Sequence, residues 1–333
     1  MEYTHLGRTG TSVSRIVLGT MNFGDRTSEE DSFAILDRAL ELGINFIDTA
    51  NGYGGSGGRG ATEEIIGRWF SARPGVRDGV VLATKVHSPM VDPGPDGDQV
   101  NARGASAWQV RREAIGSLKR LQTDRIDLYQ FHHIDRHISW QELWQSMEVL
   151  VARGEVVYAG SSNFAAWNIA QANEIASSRN FLGLVSEQSL YNLVQRSIEL
   201  EVVPAALNYG LGILPWSPLA GGLLSGGGVS GGSSDANARS ASGGVQDARE
   251  KRREQLDAYD SFAKERGWTS ASLGLAWLLH QPGVTGPIIG PRTVEQLESA
   301  VSALDIHLGA DDLAALDELF PGPGGQAPEA YAW

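Results

Sequence analysis

The 333-residue chain contains no cysteine. Disulfides, thiolate catalysis, iron–sulfur clusters and Cys-based zinc sites are therefore excluded. It also lacks any apolar stretch approaching the ~20 residues that span a bilayer. The N-terminus, MEYTHLGRTG, has no basic region followed by an apolar run, so no signal peptide is expected. Positive charge is scarce: 27 Lys and Arg against 40 Asp and Glu give a net charge of −13. That balance argues against nucleic acid or an anionic membrane as the main partner. Local basic residues remain free to hold an anionic ligand. With 41% hydrophobic and 20% charged residues, the chain can bury a sizeable core. A cytoplasmic enzyme or binding protein is the expectation; the oligomeric state is not legible.

What is present is an alternation of short apolar runs with longer amphipathic ones. Strands are predicted at 16–18, 44–48, 80–85, 126–131, 156–159, 184–187, 213–216 and 286–289. Helices are predicted between and after them, at 28–42, 62–70, 108–121, 140–152, 165–176 and 197–207, then 247–266, 270–280, 293–302 and 310–319. The first has Ser28 as N-cap, an acidic first turn and Gly43 as its stop. Eight short strands with little alternation imply a parallel sheet covered on both faces. A doubly wound sheet and a closed (β/α)8 TIM barrel both fit, and the count of eight and the chain length favour the barrel as a single domain over 1–320.

Three segments break the rhythm: 52–60 (GYGGSGGRG), 90–104 (MVDPGPDGDQVNARG) and the Gly/Ser-rich 221–244. All follow strand C-termini, the face where barrels place their chemistry. The last reads as a mobile flap, polar over 225–244, or as a tolerated surface insertion. The tail 321–333 (PGPGGQAPEAYAW) reads as irregular.

Strand two ends in Asp48 with Tyr53 just beyond, strand three in Lys85, and strand four in His132. Each has an ordinary explanation: a loop cap, a snorkelling amine, a packed phenol, a satisfied imidazole. Together, at the same end of three consecutive strands, they make a chemical set. A free phenol titrates near ~10 and is a poor proton shuttle at neutral pH. A nearby ammonium favours phenolate, a carboxylate holds the ammonium charged, and a neutral imidazole orients a carbonyl oxygen. That arrangement suits protonation of the oxyanion formed when hydride attacks C=O.

The pair His132–His133, with Asp135 and His137 nearby, raises a metal site. Alternation along a continuing strand would turn the two histidines to opposite faces, and HExxH is absent, so no metal is expected. The 52–60 segment GYGGSGGRG lacks the Gly-Lys-Ser/Thr ending of a P-loop, so a nucleotide is expected to bind by another geometry. Phosphate is instead expected at Trp216–Gly222 after strand seven, through backbone N–H groups. A second place is Gly290-Pro291-Arg292-Thr293, which opens a helix after strand eight.

These residues resemble the aldo-keto reductase family over nearly the whole chain. Phe46-Ile47-Asp48-Thr49-Ala50 with Tyr53-Gly54 resembles its Asp-and-Tyr signature, Thr84-Lys85 its lysine strand, and Asp127 to His132 its histidine strand. Gly160 to Phe164 resembles the segment whose Ser162 and Asn163 hold the nicotinamide amide, and Gln188 falls where a glutamine does the same. Trp216 falls where an aromatic stacks on the nicotinamide. Ser217, Pro218, Leu219 and Gly221 fall in the pyrophosphate segment. Gly290, Arg292, Thr293 and Gln296 fall in the helix start that takes the adenosine 2′-phosphate. Gly19, Thr20 and Met21 are also assigned to the cofactor, together with Asp48, and Phe23 and His133 to the substrate.

The resemblance implies a barrel that binds NADPH/NADP+ across its C-terminal face and transfers hydride from nicotinamide C4 to the carbonyl of a small molecule. Tyr53 would be the general acid, Lys85 and Asp48 its tuning pair, His132 the carbonyl orienter. The GPRTVEQL motif resembles the branch that includes bacterial reductases and potassium-channel β-subunits, and Arg292 favours NADPH. The chain departs from the pattern at Asn51, where relatives carry an acid, and at Ser299 and Ala300, which thin the adenine contacts. His133 replaces a frequent Trp and points to a polar aldehyde or ketone. Two alternatives are a nucleotide-binding regulatory or scaffold subunit with little turnover, and a reductase of an activated C=C bond.

Overall fold

The computed structural model describes residues 1–90, 101–226 and 243–332. Residues 91–100 and 227–242, which include most of the expected flap, lie outside the described residues. The chain opens with a hairpin, β1 (Tyr3–His5) and β2 (Ser12–Ser14). Then follow β3 (Val17–Gly19), α1 (Glu29–Glu41), β4 (Phe46–Asp48), α2 (Ala61–Ala72), β5 (Val81–Val86), α3 (Ala107–Leu121) and β6 (Ile126–Phe131). Next come α4 (Trp140–Ala152), β7 (Val156–Ser162), α5 (Ala166–Ser178), β8 (Leu184–Gln188), α6 (Val202–Tyr209) and β9 (Gly212–Ile213). The last elements are α7 (Gly243–Lys251), α8 (Arg253–Glu265), α9 (Ser270–His280), β10 (Ile288–Ile289), α10 (Val294–Val301), α11 (Ala310–Leu319) and α12 (Glu329–Ala332). Among the described residues no helix is long and apolar enough to cross a membrane.

The eight strands β3–β10 form one parallel sheet in the order β10-β3-β4-β5-β6-β7-β8-β9. The ring closes between its ends. Ile213 N donates to Gly283 O at 2.9 Å, Thr285 N to Ile213 O at 2.9 Å, and Ile288 N to Pro215 O at 2.9 Å. The fold is therefore the (β/α)8 barrel that the strand count favoured. The two closing strands are shorter than the apolar runs 213–216 and 286–289, because Pro215 and Pro287 lack the N–H that a ladder needs. Their carbonyls still serve: Pro287 O accepts from Val17 N.

Local signals place the elements well. Ser28 caps α1 by accepting from Asp31 N, and Gly43 takes φ +85° just past its end. Two long predicted helices divide: 247–266 breaks at Arg252 into α7 and α8, and 197–207 becomes a short 3-10 turn followed by α6. The tail, expected to be irregular, ends in the one-turn α12.

Residues paired across neighbouring strands face the same side, so the register reads out the barrel interior in layers. One layer is Gly19, Asp48, Ala83, Leu128 and Tyr158. The layer nearer the strand C-termini is Lys85, Gln130, Gly160, Ser186 and Gly212. Gly160 leaves room for its neighbours there: a Cβ would lie 2.5 Å from Ser186 Oγ and 3.1 Å from Gln130 Cγ. Below them Val17, Phe46, Val185 and Leu214 form an apolar floor with Leu6 and Val13 of the hairpin. The hairpin, absent from the sequence reading, plugs the barrel. Its Gly7 (φ +56°) lies so close that a Cβ would meet Val185 O at 2.5 Å, and Arg8 N bonds Gly210 O at 2.9 Å. Larger apolar layers pack between strands and helices, including fully buried Trp69, Trp144 and Trp277.

The closing seam gives a test. A Cβ on Gly212 would fall 2.2 Å from Thr285 Oγ1. Gly212→Ala should lower stability by about 1–3 kcal/mol through overpacking, read as a lower urea midpoint. An unchanged midpoint would mean that the seam is not closed as described.

Candidate active site

Asp48, at the end of β4, and Lys85, near the end of β5, meet inside the barrel. Lys85 Nζ lies 2.6 Å from Asp48 Oδ2 and also donates to Thr49 O at 2.9 Å. Both are buried, Lys85 at 0% exposure and Asp48 at 3%. The other carboxylate oxygen accepts from Gln130 Nε2 at 2.9 Å and Gln188 Nε2 at 3.0 Å. The pair is thus hydrogen-bonded on every side, which a buried ion pair needs if it is to be tolerated. Burial opposes the charge on Lys85, but Asp48 and Tyr53 outweigh it and hold the ammonium above its usual pKa.

Tyr53 reaches this ammonium from the glycine-rich loop after β4. Its N–H bonds Ala50 O and its carbonyl accepts from Gly60 N, which folds the loop back on itself. Gly54 makes that turn at φ +144°, where a Cβ would meet Gly58 O at 1.9 Å. The phenol oxygen then stands 3.3 Å from Lys85 Nζ.

His132 completes the group. Its ring lies 5.9 Å from that of Tyr53, edge to face. Strand β6 stops at Phe131, so the alternation expected through both histidines does not hold. The rings of His132 and His133 instead stack, 4.9 Å apart and 1° from parallel, and His87 meets His133 edge-on at 5.2 Å. Burial, then the charge of Lys85, lowers the His132 pKa to about 2. It is therefore a neutral imidazole. Its Nδ1 is buried with no hydrogen-bond partner among the described residues.

Tyr53, His132 and Asp48 open onto a cleft of about 770 Å³ at the strand C-termini. Most of the positions predicted for a cofactor line it. They are Gly19, Thr20 and Met21 on one wall and Ser162, Asn163 and Gln188 at the centre. Trp216 to Leu219, with Gly221, form the opposite wall, and Gly290, Arg292 and Gln296 the far end. His133 also lines it. Three predicted residues do not. Lys85 lies beneath the floor. Thr293 turns to cap α10, accepting from Gln296 N. Phe23, expected at the substrate, is fully buried in the core behind the cleft.

The structure also adds residues that sequence reasoning missed: Asn22, which donates to Gly290 O at 2.9 Å, Arg26, and Glu295 beside Arg292. Asn22 and Arg26 are lone polar residues of a loop and Glu295 an ordinary acidic residue of a helix first turn, so no spacing signal marked them. The Gln296 side chain accepts from Arg292 N at 2.9 Å and braces the helix start. In the turn after Trp216, three amides bond within the turn: Ala220 N to Ser217 O, Gly221 N to Ser217 Oγ, and Gly222 N to Leu219 O. Asn163 joins the walls. Its carboxamide accepts from Trp216 Nε1 at 3.0 Å and donates to Ser162 Oγ at 2.9 Å.

A barrel with this tetrad at its mouth defines a class. The aldo/keto reductase family model matches residues 15–320, and the chain belongs to that family of oxidoreductases. It is similar to a Bacillus subtilis protein named uncharacterized oxidoreductase YrpG, 52% identical over 333 residues, covering 100% of both chains. It is also 33% identical over 319 residues to norsolorinic acid reductase stcV of Emericella nidulans, covering 94% of this chain and 79% of that one. Versiconal hemiacetal acetate reductase of Aspergillus parasiticus is 30% identical over 337 residues, covering 96% of each.

The His132 environment predicts its titration. The imidazole should remain neutral from about pH 9 down to about pH 4, well below the ordinary His range. Long-range ¹H–¹⁵N NMR of the ring nitrogens checks this. An ordinary midpoint for His132 would overturn the buried geometry.

Proposed function

We propose that the protein is an NADPH-dependent carbonyl reductase with Tyr53 as its proton donor. The observation that carries the reading is the contact of Lys85 Nζ with both Asp48, at 2.6 Å, and the Tyr53 hydroxyl, at 3.3 Å, on the floor of the cleft. The cleft fits an extended dinucleotide. Carboxamides and a hydroxyl (Ser162, Asn163, Gln188) stand beside the tetrad, and the flat Trp216 adjoins them. At the far end Arg292 opens an anion-accepting helix start. The turn from Ser217 carries left-handed residues at Ser217, Ala220 and Gly221, the kind of backbone that curves around anions. A bound NADPH would supply hydride to the carbonyl carbon.

The chain's own groups do the rest. The neutral His132 donates a hydrogen bond that orients the carbonyl oxygen beside the Tyr53 hydroxyl. As negative charge develops on that oxygen, Tyr53 gives up its proton and the product is an alcohol. Lys85 stabilises the phenolate left behind, and Asp48, held by Gln130 and Gln188, keeps Lys85 in place. Solvent then returns the proton to Tyr53. The relatives' names speak of reductases of norsolorinic acid and versiconal hemiacetal acetate. Together with His133 on the cleft wall they support a polar carbonyl compound as substrate here.

Tyr53→Phe should reduce kcat by at least about 10²-fold and leave the NADPH Kd unchanged. Retained turnover would remove Tyr53 from its role. NADPH bound without turnover of any carbonyl in a broad panel would make the protein a nucleotide-binding regulatory subunit instead. Arg292→Ala should raise the KM for NADPH about tenfold or more, the loss of a charge-assisted phosphate contact, and spare NADH. Equal effects on both cofactors would refute a 2′-phosphate contact, and Glu295 in the same wall makes that comparison informative.

A further inference from the structure

One buried acid takes no part in the chemistry above. Glu187, on β8, is 0% exposed and its side chain faces away from the cleft, opposite to Gln188 beside it. Three donors converge on its carboxylate. Ser161 Oγ approaches Oε2 at 2.5 Å, while Ser189 Oγ approaches Oε1 at 2.7 Å and Phe164 N at 3.1 Å. The Asn163 N–H beside them bonds the backbone carbonyl of Gln188 at 3.0 Å. Ser161 and Phe164 belong to the end of β7 and the turn after it, where Asn163 sits at φ +59°, and Ser189 follows β8. A left-handed Asn persists only where its surroundings hold it.

We propose that Glu187 is a positioning residue of the nicotinamide site: its carboxylate pins the Asn163–Phe164 turn and so aims the Asn163 carboxamide into the cleft. The inference rests on the cofactor reading above. An ionised carboxylate accepts only, so it alone among side chains of this size satisfies several converging donors at once. A buried charge is costly, and an apolar residue would pack there more cheaply. Burial pushes the Glu187 pKa up to about 7, against the pull of Ser161, Ser189 and the turn's N–H groups. The groups facing it are Ser161 on β7, Asn163 and Phe164 in the turn, Ser189 beyond β8, and Ile213 and Leu214 beside β9. None carries a charge. Protonation replaces charge-assisted hydrogen bonds with weaker neutral ones, the Phe164 N–H contact among them, so acidification through neutrality loosens the turn. The stability effect has the opposite sign. With its folded pKa raised, Glu187 costs stability as pH climbs through about 7, so Glu187→Gln folds at least as well as wild type at pH 8.

The test compares NADPH with 2′-phospho-ADP-ribose, which lacks the nicotinamide, by tryptophan-fluorescence titration of wild type and Glu187→Gln. At about pH 8 the variant should bind NADPH about tenfold more weakly and the fragment within about twofold. In wild type the NADPH-to-fragment affinity ratio should fall between about pH 8 and about pH 6, and in the variant it should stay flat. Equal losses for both ligands, or none, overturn the proposal. Wild type that binds neither ligand sinks the cofactor reading and this inference with it. Wild type that binds both, with the variant unchanged, sinks only the inference.

Discussion

The upper half of the barrel is organised around one buried ion pair. Lys85 is fully buried and Asp48 nearly so, and each is satisfied by protein groups. That requirement recruits Gln130 and Gln188 to one carboxylate oxygen and Thr49 O to the ammonium. It also accounts for Gly160, because a Cβ there would lie 3.1 Å from Gln130 Cγ and crowd that long side chain. Removing either charge would strand the other, at a cost of about 3–5 kcal/mol. The pair therefore ties the integrity of the interior to the position of the phenol above it.

The pair also explains the neighbouring imidazole. A fixed positive charge beneath His132 reinforces what burial begins, so the ring stays neutral. The stacked His133 continues this polar surface along the cleft, and His87 packs edge-on against it. Around it, residues that face the cleft and residues that face the helices alternate along β7 and β8. Ser162 and Gln188 look inward, while Ser161 and Glu187 look outward. The same two strands thus carry a ligand-facing row and a supporting row.

Much of this was legible in the sequence. Strand ends at Asp48, Lys85 and His132 follow from short apolar runs that stop at a polar residue, and parallel pairing brings such ends together. Ser28 and Gly43 marked α1 through local chemistry. What escaped notice is non-local. The β1–β2 hairpin has three-residue strands, too short for periodicity to register. Phe23 follows the first barrel strand like a pocket residue, yet its loop turns it into the core. The two histidines stack because β6 ends one residue before them. Thr293 and Gln296 sit where an anion contact was expected, but the helix start draws the Thr293 hydroxyl and Gln296 Oε1 into its own cap. Glu187 was visible only as the neighbour of Gln188, since convergence of donors on a carboxylate leaves no trace in spacing.

The hairpin under the barrel has a consequence for traffic. With Leu6 and Val13 filling the base, the barrel is closed beneath the cleft among the described residues. Traffic to and from such a vessel runs over the face at the strand C-termini. The direction of approach is then a property of the container, settled by its topology before any difference in affinity is considered.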